Sequence, residues 1–163
     1  MDIIYEQMIT EDVYIKPDNL NGDIDKIILK KLQSKYEGYS RNEGYVLKDS
    51  IQLIEKKLGR IKTINNKSMI IFNVIFKSEI ISPNDGDIIN CKVENINKMG
   101  LLGYLDSKEL NSVSVDTSPL LIIIPNNKEI SKYTPGDKLK VKVLAKRIKH
   151  KSTFIQIIGD LVE

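Results

Sequence analysis

Ser82–Asp106 reads SPNDGDIINCKVENINKMGLLGYLD, and the fold depends on how this stretch is parsed. It opens on a cluster of turn formers, Pro83, Asn84, Asp85, Gly86 and Asp87. Two strand-like runs follow, Asp87–Ile96 and Gly100–Asp106. The stretch holds no nucleophile beside a base and no metal-ligand spacing. Its pattern is that of a surface that holds a partner rather than transforms one.

Downstream the same texture continues. PLLIIIPNN (119–127), DKLKVKVLAKRI (137–148) and TFIQIIGDLV (153–162) are further strand candidates, and YTPGD (133–137) precedes the fourth as SPNDGD precedes the first. Five short strands with Gly100 and Gly103 inside a strand region suit a small, bent Greek-key barrel.

Upstream the period changes. IIYEQMITEDVYI (3–15) is rich in β-branched and aromatic residues and predicts a strand that ends at Lys16-Pro17. In DNLNGDIDKIILKKLQSKYEG (18–38), Ile24, Ile27, Ile28, Leu32 and Tyr36 fall at helical spacing, with acids early, lysines late and Gly38 as a stop. From Tyr39 the period returns to two, with breaks near Lys57–Gly59 and a hairpin turn at Asn65-Asn66. MIIFNVIFKSEII (69–81) predicts a central strand. Residues 1–81 thus read as an α+β unit, one helix on a small antiparallel sheet, and residues 82–163 as an all-β barrel.

The composition excludes several kinds of chemistry. The chain has 163 residues, 41% of them hydrophobic, enough for a packed core. Lys plus Arg number 25 against 22 for Asp plus Glu, a mild excess whose placement matters more than its sum. A single cysteine, Cys91, rules out an internal disulfide and a multi-cysteine zinc site, and a single histidine, His150, rules out a two-histidine metal motif. Asp85 and Asp87 around Gly86 lack the further acids of a calcium loop. The reading is of a chain that is no enzyme and needs no cofactor and no metal. No apolar run approaches the ~20 residues of a membrane span, and a soluble, intracellular protein is expected.

The basic residues are not spread evenly. Lys138, Lys140, Lys142, Lys146, Arg147, Lys149, His150 and Lys151 crowd the closing hairpin with no acid among them. Alternation puts Lys138, Lys140 and Lys142 on one face while Leu139, Val141 and Val143 face inward. Such clustering suits phosphate contacts, and it equally suits a solvated strand face with lysines guarding an edge. Tyr104 is either a stacking platform or a core tyrosine.

Taken in order, these segments resemble the stalk subunit of multisubunit DNA-directed RNA polymerases, the family of the seventh subunit of eukaryotic polymerase II and its archaeal counterpart. Glu37-Gly38 with Gly44-Tyr45-Val46 matches that family's passage out of the helix, and Gly59 in KKLGRI matches its glycine-containing tip loop. IIFNVIFKSEIISPNDGDII (70–89) matches the long strand and linker, KVENINKMGLLGYL (92–105) the first barrel hairpin, and GDKLKVKVLAKRIKHKSTFIQIIGDL (136–161) the closing one. In Ser107–Asn127 the chain departs, with SPLLIIIPNN looking more like the divergent stalk subunits of large cytoplasmic DNA viruses.

The resemblance implies a tip domain docking on the polymerase core and an OB barrel of the ribosomal S-one type. It implies a noncatalytic stalk role in initiation and transcript guidance, with docking at the base of the clamp through Tyr45, Leu58, Gly59, Arg60 and Ile61. The expected RNA-binding set is Lys98, Tyr104, Lys142, Lys146, Arg147, Lys149, His150 and Lys151, holding nascent RNA weakly and mainly by charge. The implied partners are the large polymerase subunits, with a second stalk subunit left open, and no membrane. The implied location is host cytoplasm and virion for a viral protein, or nucleus for a cellular eukaryotic one. A free-standing single-stranded RNA-binding OB-fold protein is the alternative.

Overall fold

A computed structural model of the chain describes residues 3–20, 22–127 and 129–162. They fall into two compact units. One comprises Tyr5–Glu37 and Val46–Ile80; the other comprises a short segment ending at Ile4, Gly38–Tyr45, and the chain from Ile81 onward. The sequence alone suggests a single boundary near residue 82. In the structure Gly38–Tyr45 also belongs with the barrel.

The first unit is built on strand β1 (Ile4–Ile15), helix α1 (Ile24–Tyr36) and the long strand β6 (Lys67–Ile81). α1 starts where the Asp23 carboxylate accepts the amides of Asp25 at 3.0 Å and Lys26 at 3.4 Å, satisfying N–H groups the helix cannot pair itself. Asp25 in the first turn and Lys35 in the last complement the helix dipole, and Gly38 lies just beyond the end at a φ of +81°. The buried stripe Ile28, Leu32 and Tyr36 packs on Ile9, Val13 and Ile15 of β1 and on Phe72, Val74, Phe76 and Ile80 of β6. Tyr36 stacks on Phe76 with centroids 5.7 Å apart.

β6 is central, as the sequence suggests: β1 flanks it, and β4 (Gln52–Lys56) and β5 (Arg60–Ile64) both pair with it antiparallel. β4 and β5 are two pieces of a strand broken at Lys57–Gly59. β5 turns into β6 through Asn65 and Asn66, at φ +50° and +63°, the paired left-handed geometry of a tight hairpin.

The second unit holds the small hairpin β2 (Ser40–Arg41) and β3 (Gly44–Val46), whose last residue, Val46, counts with the first unit, together with the barrel. The barrel strands are β7 (Ile88–Asn97), β8 (Gly100–Leu105), β9 (Leu120–Pro125), β10 (Lys138–Arg147) and β11 (Ile155–Leu161). They close in the order β10-β11-β9-β8-β7, with β9 and β11 parallel and every other neighbouring pair antiparallel, an OB-like arrangement. Ile89, Cys91, Val93, Leu101, Leu105, Ile122, Ile124, Val141, Val143, Ile155 and Ile157 are buried, as inward alternation requires.

The two turns that look alike in sequence are alike in space. In Asn84–Asp87 the Asp87 carboxylate accepts the Asn84 amide at 2.8 Å; in Thr134–Asp137 the Asp137 carboxylate accepts the Thr134 amide at 2.8 Å. Gly86 and Gly136 take φ of +92° and +94°. Each turn then grips the strand that the other introduces. Gly86 N–H donates to the Val143 carbonyl and Val143 N–H to that of Asp87, while Gly136 N–H donates to Val93 and Val93 N–H to Asp137. Both grips fall where register slips, between Val93 and Asn95 in β7 and between Val143 and Ala145 in β10. The bulges bend the two long strands so that the sheet closes.

Candidate nucleic-acid interface

β10 begins with the expected alternation: Lys138, Lys140 and Lys142 are exposed, and Val141 and Val143 are buried. The bulge at Leu144 then changes which side chains face out, and leaves Leu144 itself 50% exposed. Past it, Lys146 lies opposite the buried Ile157, and its ammonium turns to Ser82 Oγ at 3.2 Å and Asn84 Oδ1 at 3.5 Å. Lys146 is therefore engaged by the linker. Lys138 is paired with Asp106 at 3.8 Å. Lys142, Arg147, Lys149 and Lys151 make no ion pair with any described acid, and all are exposed.

The turn between β10 and β11 carries Lys149, His150 and Lys151 as neighbours, each exposed. Its backbone is tied down from a distance. Ser40 in β2 donates its N–H to the Ser152 carbonyl at 2.8 Å and accepts the Lys151 N–H at 2.9 Å. The Ser40 hydroxyl lies 2.5 Å from the Lys149 carbonyl. At the far end of the turn Phe154 leaves 38% of its surface open.

The expected RNA-binding set is thus split by the barrel. Because Lys142 faces Ile88 at the start of β7, the end of β10 and its turn overhang that end of the barrel. Lys98 follows the other end of β7, about 30 Å of strand away. There its carbonyl accepts Asn126 Nδ2 at 3.1 Å, and Met99 beside it is 85% exposed. Tyr104, between Lys92 and Leu121 on neighbouring strands, is only 6% exposed, so its ring offers no open stacking face. Burial, with the charges of Glu94 and Asp106 adding to it, raises its phenol pKa. Phe154 is the aromatic that accompanies the basic turn, and its sequence signal is its place three residues after Lys151.

The docking set divides as well. Leu58 is 97% exposed and Ile61 77%, so neither side chain is part of the sheet's core. Ile61 lies opposite Ile70, which packs against the core, so the apolar face of the sheet continues into solvent at Ile61. Arg60 reaches Asp12 at 3.9 Å across an exposed surface. Gly59 is fixed by contact, since a Cβ there would meet Phe72 Cε1 at 2.7 Å. Tyr45 is 8% exposed, pairs with Ser40 and belongs to the barrel unit; burial raises its phenol pKa.

Cys91 is buried, and burial pushes its thiol up to about 12, far from a nucleophile's range. Asp87 spends its carboxylate on the turn. Among the described residues no three His, Cys, Asp or Glu side chains cluster as a metal site, and no helix is long and apolar enough to cross a membrane.

A protein of Acanthamoeba polyphaga mimivirus, provisionally named a DNA-directed RNA polymerase subunit, is 27% identical over 132 residues, which make up 80% of this chain and 60% of the relative. The chain therefore spans less than two thirds of that relative's length. No protein-family model matches the chain.

Proposed function

We propose that the chain is a noncatalytic accessory subunit of a DNA-directed RNA polymerase, of the stalk kind. The observation that carries this reading is the sequence of parts, a helix-on-sheet unit followed by a closed five-stranded barrel, in a chain similar to a viral protein provisionally named a DNA-directed RNA polymerase subunit. The first unit docks on the large subunits at the base of the clamp through Leu58, Gly59, Arg60 and Ile61. The barrel offers emerging RNA the exposed cations Lys142, Arg147, Lys149 and Lys151, with His150 among them. Contacts of this kind supply affinity that is weak, indifferent to sequence and steeply salt-dependent. Affinity purification of the tagged chain, read by mass spectrometry, tests the assignment: recovery of the large polymerase subunits is expected, and their absence would defeat it.

The exposed basic turn also favours a second reading, a free-standing single-stranded RNA-binding barrel. That reading expects the barrel alone to hold RNA as tightly as the whole chain, with no polymerase recovered.

A further inference from the structure

We infer that Ser40, in the N-terminal half, is the positioning residue of the basic turn, holding Lys149, His150 and Lys151 in one shape before RNA arrives. The inference rests on the RNA-binding reading above and adds to it a residue that carries no charge.

The turn has two reasons to be disordered. Neighbouring cations repel one another, and Lys151 sits at a φ of +61°, a left-handed backbone that non-glycine residues rarely adopt. Ser40 supplies what offsets this. Its N–H and carbonyl form a two-bond bridge to Ser152 and Lys151, at 2.8 and 2.9 Å. Its hydroxyl caps the Lys149 carbonyl at 2.5 Å, and that same carbonyl accepts the Ser152 N–H at 3.1 Å, closing the turn on itself. Every one of these bonds ends on backbone, so no lysine head is consumed.

The latch is shielded and fixed. Ser40 is 1% exposed, and bonds kept from water are not readily exchanged for solvent. Ser40 in turn pairs with Tyr45 across the β2–β3 hairpin. A turn already ordered in this way gives up less conformational entropy when phosphates dock, and affinity rises accordingly.

The test uses the full chain and a fluorescent single-stranded oligoribonucleotide over a salt series. Ser40→Ala is expected to weaken binding roughly three- to tenfold, the worth of a net hydrogen bond. The slope of log affinity against log salt should stay at the wild-type value, because no cation is lost. Lys149→Ala is the contrast: it should reduce the slope by about 0.7, one single-strand phosphate. Ser40→Thr, which keeps the hydroxyl, should bind more tightly than the same-shaped Ser40→Val, and this pair keeps the comparison valid if Ser40→Ala folds poorly. Hydrogen exchange at the Lys151 amide should quicken in Ser40→Ala. If wild type binds RNA and Ser40→Ala binds equally well, or if exchange at Lys151 is unchanged, the positioning role is overturned while the RNA reading stands. If wild type binds no RNA at low salt, the RNA reading falls and this role with it, while exchange still reports whether Ser40 holds the turn.

Discussion

Leu58 and Gly59 are neighbours with opposite work. Leu58 puts an apolar side chain almost wholly into solvent, whereas Gly59 has Phe72 where a side chain would be. Leu58→Asp should leave stability within about 0.5 kcal/mol of wild type, as surface changes do. On the docking reading, the same change should cut recovery of polymerase subunits by about tenfold or more, since it sets a charge where docking would bury an apolar side chain. Gly59→Ala should instead cost roughly 1–3 kcal/mol of stability through overpacking, read by denaturant unfolding. Cys91 gives a second test at this scale. Its proton is held more tightly in the folded chain, at about 12, than in the unfolded one, near about 8.5. The favourable contribution is complete below about pH 8.5 and drains away as pH rises toward about 12. Wild type should therefore lose more stability between pH 8 and pH 10 than Cys91→Ala does, and the native thiol should resist alkylation at pH 8.

At the scale of elements, the matched turns show what sequence can and cannot disclose. SPNDGD and YTPGD announce themselves by composition, as do the Asn65-Asn66 hairpin, the helix and each barrel strand, because turn chemistry and period are local properties. The bulges are not legible. A bulge is a relation between two strands, and the even alternation of Lys138–Val143 gives no warning that Leu144 will break it. For that reason the sequence does not disclose that the Lys146 ammonium turns to Ser82 and Asn84. Tyr104 misleads in the same way, because period two says which side of a strand a residue faces and not what covers that side. The Ser40 latch is least legible of all: its partners lie more than a hundred residues further along the chain. Asp87→Ala and Asp137→Ala each remove one carboxylate from an amide at the foot of a bulge. Each should lower stability by about 0.5–1.5 kcal/mol in denaturant titrations, with the two effects similar because the turns are built alike.

At the scale of the whole molecule, a net charge of +3 says little, while its placement says more. The exposed cations Arg147, Lys149 and Lys151 gather at the barrel end that carries the β10–β11 turn, with Phe154 beside them. That turn is not a property of the barrel sequence alone, since Gly38–Tyr45 is part of the same compact unit. Cutting the chain at residue 81 keeps every barrel strand and all of these cations but deletes Ser40 and its hydrogen bonds. A chain of residues 81–163 should accordingly melt below the matching unit of the full protein. It should also hold single-stranded RNA less tightly at every salt concentration, by at least the factor seen for Ser40→Ala. The salt slope should be retained, because the exposed cations proposed to meet phosphate are still present. Equal affinity in the truncated and full chains would favour a self-sufficient RNA-binding barrel over a barrel whose binding turn is set by the segment that follows helix α1.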